Sequence, residues 1–307
     1  MTIVDLKQTA GRLIDHLAML TVTIGERSMF SPRKLALTAE YIESAYAEYG
    51  LPVQLESYPC RDFTAHNVVA FSKCRGVPAG RFLVGAHYDC IINTVGADDN
   101  ASAVAVQLEL ARQLHEIRKE VDIPISVKFV SFALEEHPSY GTSCMGSRVH
   151  AKAMKARGET LDGMICLEMV GCRRPEQKYP FPLRMMGYPK EGNFISVVGN
   201  YRSKGLLRDI TASFTSNPEL PVQALTVPLN GWILPAVRLS DHASFWNHGF
   251  KAVMITDTAF FRNPHYHLPS DTMEKLDYDF MARVVESMVI FFMSFRQGGH
   301  RANLLSS

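Results

Sequence analysis

Arg81-Phe82-Leu83-Val84-Gly85-Ala86-His87-Tyr88-Asp89, then Gly96-Ala97-Asp98-Asp99-Asn100, then the run Ala101–His115 decide the fold. Arg81–Ala86 is a short apolar strand that runs straight into His87. Ala101–His115 has helical periodicity, with Asn100 or Asp98 available as its N-cap. A strand, a polar turn and a helix make the first half of a parallel crossover unit. Downstream, Ile125–Leu134 and Gly163–Met169 read as buried strands, the first running into Glu135-Glu136 and the second carrying Glu168. Leu206–Phe214 reads as helix, Val222–Thr226 and Ala252–Thr256 as strands, and Asp277–Phe295 as a closing helix. Upstream, residues 3–18 and Leu35–Tyr49 read as helices, and Val53–Tyr58 and Asn67–Phe71 as strands. This alternation predicts an α/β fold: a central mixed, largely parallel β-sheet sandwiched by helices. Residues 1–307 are expected to form one domain. The less regular, proline-containing stretch 172–247 is expected to be a flap or cap elaborated within it.

Composition narrows the function. The 307 residues are 47% hydrophobic and 21% charged, enough apolar material for a full core. With 32 basic and 31 acidic residues the formal charge is +1, which offers no electrostatic face to nucleic acid or to an anionic membrane. The most apolar stretch, Val284–Phe295, is too short to span a bilayer. Met1–Lys7 lacks a basic segment followed by an apolar run, so a cytoplasmic location is expected. None of the six cysteines forms a Cys-x-x-Cys pair, and a chain of this length does not need disulfides; free thiols are expected.

The chemistry lies in five short motifs. His87 and Asp89 share one face by period-two alternation. They are either a metal ligand with its supporting carboxylate or a core histidine paired with aspartate. Asp98-Asp99-Asn100 opens a helix, where one residue suffices as a cap and a further carboxylate is kept ionised by the helix dipole. Glu135 and Glu136 leave a buried strand together, where a turning backbone lets both converge. Glu168, within Ile165-Cys166-Leu167-Glu168-Met169-Val170, is costly to bury unpaired; a metal, or Arg173 or Arg174, would remove that cost. His265 and His267 lie in a proline-bounded loop, and one of them would supply a second imidazole. Two imidazoles, a shared carboxylate, two terminal carboxylates and a spare glutamate are what a two-metal hydrolase needs.

The ordered set Gly85-Ala86-His87-Tyr88-Asp89, Gly96–Asn100, Glu135-Glu136, Glu168-Met169-Val170-Gly171 and Tyr266–Thr272 resembles the co-catalytic zinc aminopeptidases, a family that includes glutaminyl cyclases and glutamate carboxypeptidases. The resemblance covers roughly residues 60–295 and extends to Ser240-Asp241-His242-Ala243-Ser244-Phe245. It implies a zinc exopeptidase fold of the phosphorylase/hydrolase-like kind and two Zn²⁺ ions. By resemblance His87 and Glu168 hold one ion, Glu136 and His267 the other, and Asp99 bridges them through a residue followed by a cis peptide. Glu135 is then the general base, Asp89 supports His87, and the substrate is a peptide with a free N-terminus. Trp232, Trp246, Phe260 or Phe261 would wall its side-chain pocket. Two departures stand out: Glu168 occupies a position more often aspartate, and His137–Thr142 replaces a glycine-rich stretch. The alternatives are a one-zinc, glutaminyl-cyclase-like acyltransferase using Asp99, Glu136 and His267, and a non-catalytic binding member of the same fold.

Overall fold

The computed structural model describes residues 4–181 and 183–295. The first residue of the helix expected over 3–18, and Met1–Ile3 of the N-terminal reading, lie outside them.

Eight strands form one sheet in the order β1-β2-β4-β3-β5-β8-β6-β7. They are β1 (Val53–Cys60), β2 (Phe63–Ser72), β3 (Gly80–His87), β4 (Ile125–Phe132), β5 (Gly163–Glu168), β6 (Ile195–Asn200), β7 (Val222–Val227) and β8 (Ala252–Thr256). The four central strands β4, β3, β5 and β8 are mutually parallel. β1 and β2 form an antiparallel hairpin against β4, and β6 runs antiparallel to β8. The sheet is mixed with a parallel centre, as expected. β6, in a proline- and glycine-flanked stretch, had no strand reading, and β6 and β7 make much of 172–247 part of the sheet. The parts of 172–247 left outside the sheet include the loops around 177–188 and 228–239.

Helices cover both faces. α1 (Leu6–Leu17) continues as a π-helical turn through Ile24, and α2 (Pro32–Glu48) follows. α3 (Ala103–Glu120) lies on the central strands. Its buried Gln107 donates to the carbonyls of Val84 in β3 and Val130 in β4, and accepts from Ser131. That amide fixes the helix against the two strands from which His87 and the Glu135-Glu136 pair emerge. α4 (Gly146–Ala156), α5 (Lys204–Phe214), α6 (His242–Asn247) and α7 (Tyr278–Ser294) complete the set. α7 packs Phe291 and Phe292 edge-on against Phe82 of β3. Among the described residues no helix is long and apolar enough to cross a membrane.

Two expectations need correction. Neither Asp98 nor Asn100 caps α3. Asn100 turns instead to β5, donating to Leu167 O and accepting from Met169 N, while Asp98 accepts from Gly171 N. Nor are all six cysteines free: Cys60 and Cys144 are bonded, with Cα atoms 5.2 Å apart, inside the usual disulfide range. The partners are 84 residues apart in sequence. Only the fold brings the tip of the β1–β2 hairpin against the loop after Glu136, so spacing could not reveal the pair. Cys74, Cys90, Cys166 and Cys172 remain thiols.

Candidate metal centre

Parallel strands deliver their carboxyl ends to one edge of a sheet, and in this molecule that edge is crowded with carboxylates. His87 ends β3, Glu135 and Glu136 follow β4, Glu168 ends β5 and Asp257 follows β8. Continuing each strand would send neighbouring side chains to opposite faces. The backbone breaks that alternation with left-handed residues: Leu134 (φ 61°) before the glutamate pair and Met169 (φ 47°) after Glu168. Such a conformation is rare for a non-glycine residue and gathers at functional sites. Gly96 (φ 49°) precedes the acidic turn, where a Cβ would stand 2.2 Å from Asp99 O and 2.5 Å from Cys90 Cβ. Only glycine fits there. The Asp99–Asn100 peptide is cis, as the resemblance implies.

Two donor triads result, and they share Asp99. His87, Asp99 and Glu168 present three donor atoms within 4.8 Å of one another, and so do Asp99, Glu136 and His267. His87 Nε2 stands 3.5 Å from Asp99 Oδ1 and 3.5 Å from Glu168 Oε2. His267 Nε2 stands 3.2 Å from Asp99 Oδ2 and 3.3 Å from Glu136 Oε2. Around a tetrahedral zinc with bonds of about 2.0–2.1 Å, neighbouring donors lie about 3.3–3.4 Å apart. The spacing therefore fits an ion in each triad. Glu136 Oε1 is buried without a hydrogen-bond partner, as a ligand's free lone pairs would be. Glu135 belongs to neither triad: its Oε2 is 3.9 Å from His87 Nε2. His265 is also outside, bonded through Nδ1 to Ser270.

The supporting groups are more specific than the motifs suggest. Asp89 does lie against His87, but His87 Nδ1 is closer to its carbonyl oxygen (3.1 Å) than to its carboxylate (3.4 Å). The carboxylate instead accepts the backbone N–H groups of Glu135 and Glu136, both at 3.0 Å. Asp271, in the Ser-Asp-Thr motif, accepts the N–H groups of Asp98 and Asp99 at 3.0 and 3.1 Å. Each tandem acidic pair is thus held by a carboxylate clamped on its backbone. Ser240 donates to Glu168 Oε2 at 2.5 Å, so Arg173 and Arg174 are not its partners; Arg173 pairs with Asp277.

Sequence reasoning missed Arg27. It is fully buried, and its guanidinium donates to the carbonyls of Tyr88, Leu20, Gly25, Val95 and Gly96. Its backbone N–H reaches Cys90 Sγ. One side chain therefore ties the N-terminal helices to both ends of the turn that links His87 to Asp99. Standing among polar residues in Gly25-Glu26-Arg27-Ser28, it carries no local sign of that role.

Electrostatics separate the carboxylates. Burial pushes the Asp99 carboxyl up, but hydrogen bonds from His267 and His87 outweigh it and lower its pKa to about 2. Asp99 is thereby kept charged, as a carboxylate shared by two ions would need to be. Burial, followed by repulsion from Asp99, raises Glu136 to about 7. Glu135 is pushed well above the usual range by burial, and further by Glu168 and Glu136, against the opposing pull of His87. A third grouping, Asp98, Cys172 and Asp257, is satisfied from within the protein: Asp98 takes Asn263 Nδ2 and Gly171 N, and Asp257 takes Cys172 N.

Beside Glu168 opens an apolar cleft, walled by Phe194, Leu225, Val237, Met254, Phe260 and Tyr266 among others. Of the aromatics expected at a pocket, Phe260 and Phe261 line this cleft. Trp246 is core, its Nε1 bonded to Ala252 O, and Trp232 faces a different cavity.

The chain is 38% identical over 282 residues to the uncharacterized protein YfbL of Escherichia coli (strain K12), covering 88% of this chain and 83% of that one. It is 26% identical over 229 residues to a probable leucine aminopeptidase of Trichophyton verrucosum, covering 71% of this chain. It spans about half (54%) of that relative's length. The Legionella pneumophila LapA aminopeptidase shares the fold, with a TM-score of 0.71 at 19% identity over 93% of this chain and 72% of that one. The model of peptidase family M28 matches residues 67–291, which includes every residue of both donor triads, and the chain belongs to that family.

Proposed function

We propose that the protein is a zinc-dependent aminopeptidase with two ions at the described centre. The observation that carries this reading is the pair of donor triads sharing Asp99, with Glu135 left outside both. His87 and Glu168 would hold one ion, Glu136 and His267 the other, and Asp99 would bridge them. When bound, such ions lower the pKa of a shared water and polarise the scissile carbonyl.

The chain's own groups do the rest. Glu135, buried with its proton affinity raised, takes a proton from the attacking water at a carboxylate oxygen and delivers it to the leaving amine. Asp89 fixes the backbone of Glu135 and so its reach. The substrate's free α-ammonium is drawn to the carboxylate-rich centre, and its first side chain fits the apolar cleft beside Glu168. The family and the named relatives support a metal-dependent peptidase; removal of N-terminal residues, two ions and an apolar first residue are the finer parts of the proposal.

The one-zinc acyltransferase reading uses only Asp99, Glu136 and His267. It gives no reason for His87 and Glu168 to converge on the other oxygen of Asp99. A panel of aminoacyl-arylamides tests the proposal. Leucyl and phenylalanyl substrates should be cleaved, cleavage should stop with a chelator, and zinc should restore it. Cyclisation of N-terminal glutamine without arylamide cleavage would establish the rival. The Cys60–Cys144 bond favours an oxidising compartment over the cytoplasm, and the state of the two thiols in cell extracts decides between them.

A further inference from the structure

The strand pairing of β4 ends at Ser131 on the β2 side and at Phe132 on the β3 side. From Ala133 on, the backbone that carries Glu135 and Glu136 needs other partners, and side chains supply them. Asp89 takes the N–H groups of the two glutamates. Asn67, fully buried in β2 one residue past the last pair with β4, takes that of Ala133: its Oδ1 accepts the N–H at 3.0 Å. The Asn67 Nδ2 donates to Gly146 O at 3.0 Å, and Gly146 N donates back to Ala133 O at 2.8 Å. One amide thus closes the neck of the loop 134–145, on which both glutamates lie. The neck leaves no spare room. A Cβ on Gly146 would stand 2.1 Å from Asn67 Oδ1 and 2.6 Å from Ala133 O.

The amide has one working orientation. Gly146 O and the Glu56 carboxylate both accept, so both need its NH2 end, and only the oxygen is left for Ala133 N–H. Glu56 stands directly opposite Asn67 in β1, with Oε2 2.8 Å from Nδ2. The same oxygen lies 2.7 Å from Nδ1 of His150 in α4. The β1–β2 hairpin therefore holds the loop at two levels: Asn67 and Glu56 at the neck, and Cys60, bonded to Cys144, near the end of the hairpin.

We propose that Asn67 is a positioning residue for Glu135. It fixes the backbone two residues before the general base, as Asp89 fixes it at the base itself, and so sets where that carboxylate points. The inference rests on the aminopeptidase reading. Asn67 belongs to neither donor triad and does not line the apolar cleft. Its loss should therefore leave substrate binding in place and misplace the base. A shift of about 1 Å in a reacting group costs about 10²-fold in rate.

The test is a double-mutant cycle of Asn67→Ala and Glu135→Gln. It reads kcat and KM on a fluorogenic leucyl amide, per mole of folded, zinc-saturated protein. Asn67→Ala should lower kcat about 10²-fold, with KM within about threefold of the wild-type value. In the Glu135→Gln background the same substitution should change kcat by less than about threefold, because the base it positions is already gone. Unchanged kcat per folded molecule, whatever the loss of stability, would show a purely structural role. Losses that multiply in the double variant would show that Asn67 acts through another group. Either result overturns the proposal, as does a loss confined to KM. If Asn67→Ala does not fold, Glu56→Ala enters the same cycle. It frees one hydrogen of the amide and should lower kcat about fivefold, the scale of one net hydrogen bond, with no further loss beside Glu135→Gln. No loss, or one that persists in that background, again overturns the proposal. A wild-type protein that cleaves no leucyl amide takes down the aminopeptidase reading, and this inference with it.

Discussion

The two halves of the proposed metal centre are built differently. His87 and Glu168 end adjacent central strands, β3 and β5, and are buried, His87 at 1% exposure. Their orientation is set by β-sheet hydrogen bonds, by Asp89 and by Ser240. His267 comes from a loop, at φ 57°, with its side chain 29% exposed and Nε2 lacking any hydrogen-bond donor or acceptor beyond the two carboxylates. Glu136 stands one residue beyond Glu135, after a left-handed turn. One half is thus pre-organised by the sheet, and the other depends on loops whose backbone Asp89 and Asp271 help to hold. The contrast teaches that the sheet positions one half while backbone clamps position Asp99, which both triads share. It predicts that the strand-borne half fills first when metal is added.

The largest effect should come from the proposed general base, Glu135. Glu135→Gln should lower kcat by roughly 10²–10⁴-fold, as expected for a lost general base. Metal content by atomic absorption should stay at the wild-type value. If an ion leaves with the substitution, Glu135 and Glu136 have exchanged roles and the loop-borne half is misassigned.

Arg27→Met comes next. Five carbonyls lose a buried donor, at about 1–3 kcal/mol for each that water does not recover, so stability should fall on the order of 3–5 kcal/mol. Urea unfolding of the metal-free protein reads this directly. A change below about 1 kcal/mol would show that the turn linking the two halves holds without it.

Asp271→Asn removes the clamp on Asp98 and Asp99. Apparent zinc affinity should weaken about 10–100-fold, the usual cost of altering a group that orients a ligand. Because Asp99 is shared, both ions should be affected, whereas Ser240→Ala should weaken only the strand-borne half, and by less than about tenfold. Competition with a chromogenic chelator distinguishes one weakened step from two. Equal loss at both sites in Ser240→Ala would erase the distinction between the halves.

The sequence made the proposed ligands His87, Glu136 and Glu168 visible because each ends or follows an apolar strand: a charged residue directly after Ile165-Cys166-Leu167 or Phe132-Ala133-Leu134 has no ordinary place to go. The central strands and α3 were legible for the same reason, through periodicity. What was hidden acts over distance. Arg27 and Asp271 bond to backbone groups far away in sequence, Cys60 meets Cys144 only through the fold, and β6 gains its strand character from pairing with β7 and β8. Asn100 and Asp98, read locally as helix caps, are taken by the carboxyl end of β5, because tertiary partners there outcompete the local cap.

The most direct measurement is anomalous diffraction at the zinc edge from zinc-loaded crystals. Two peaks about 3.5–4 Å apart should appear. One should lie among His87, Glu168 and Asp99, the other among Glu136, His267 and Asp99, with Glu135 bound to neither. A single peak, two peaks without Asp99 between them, or a peak ligated by Glu135 would contradict the account.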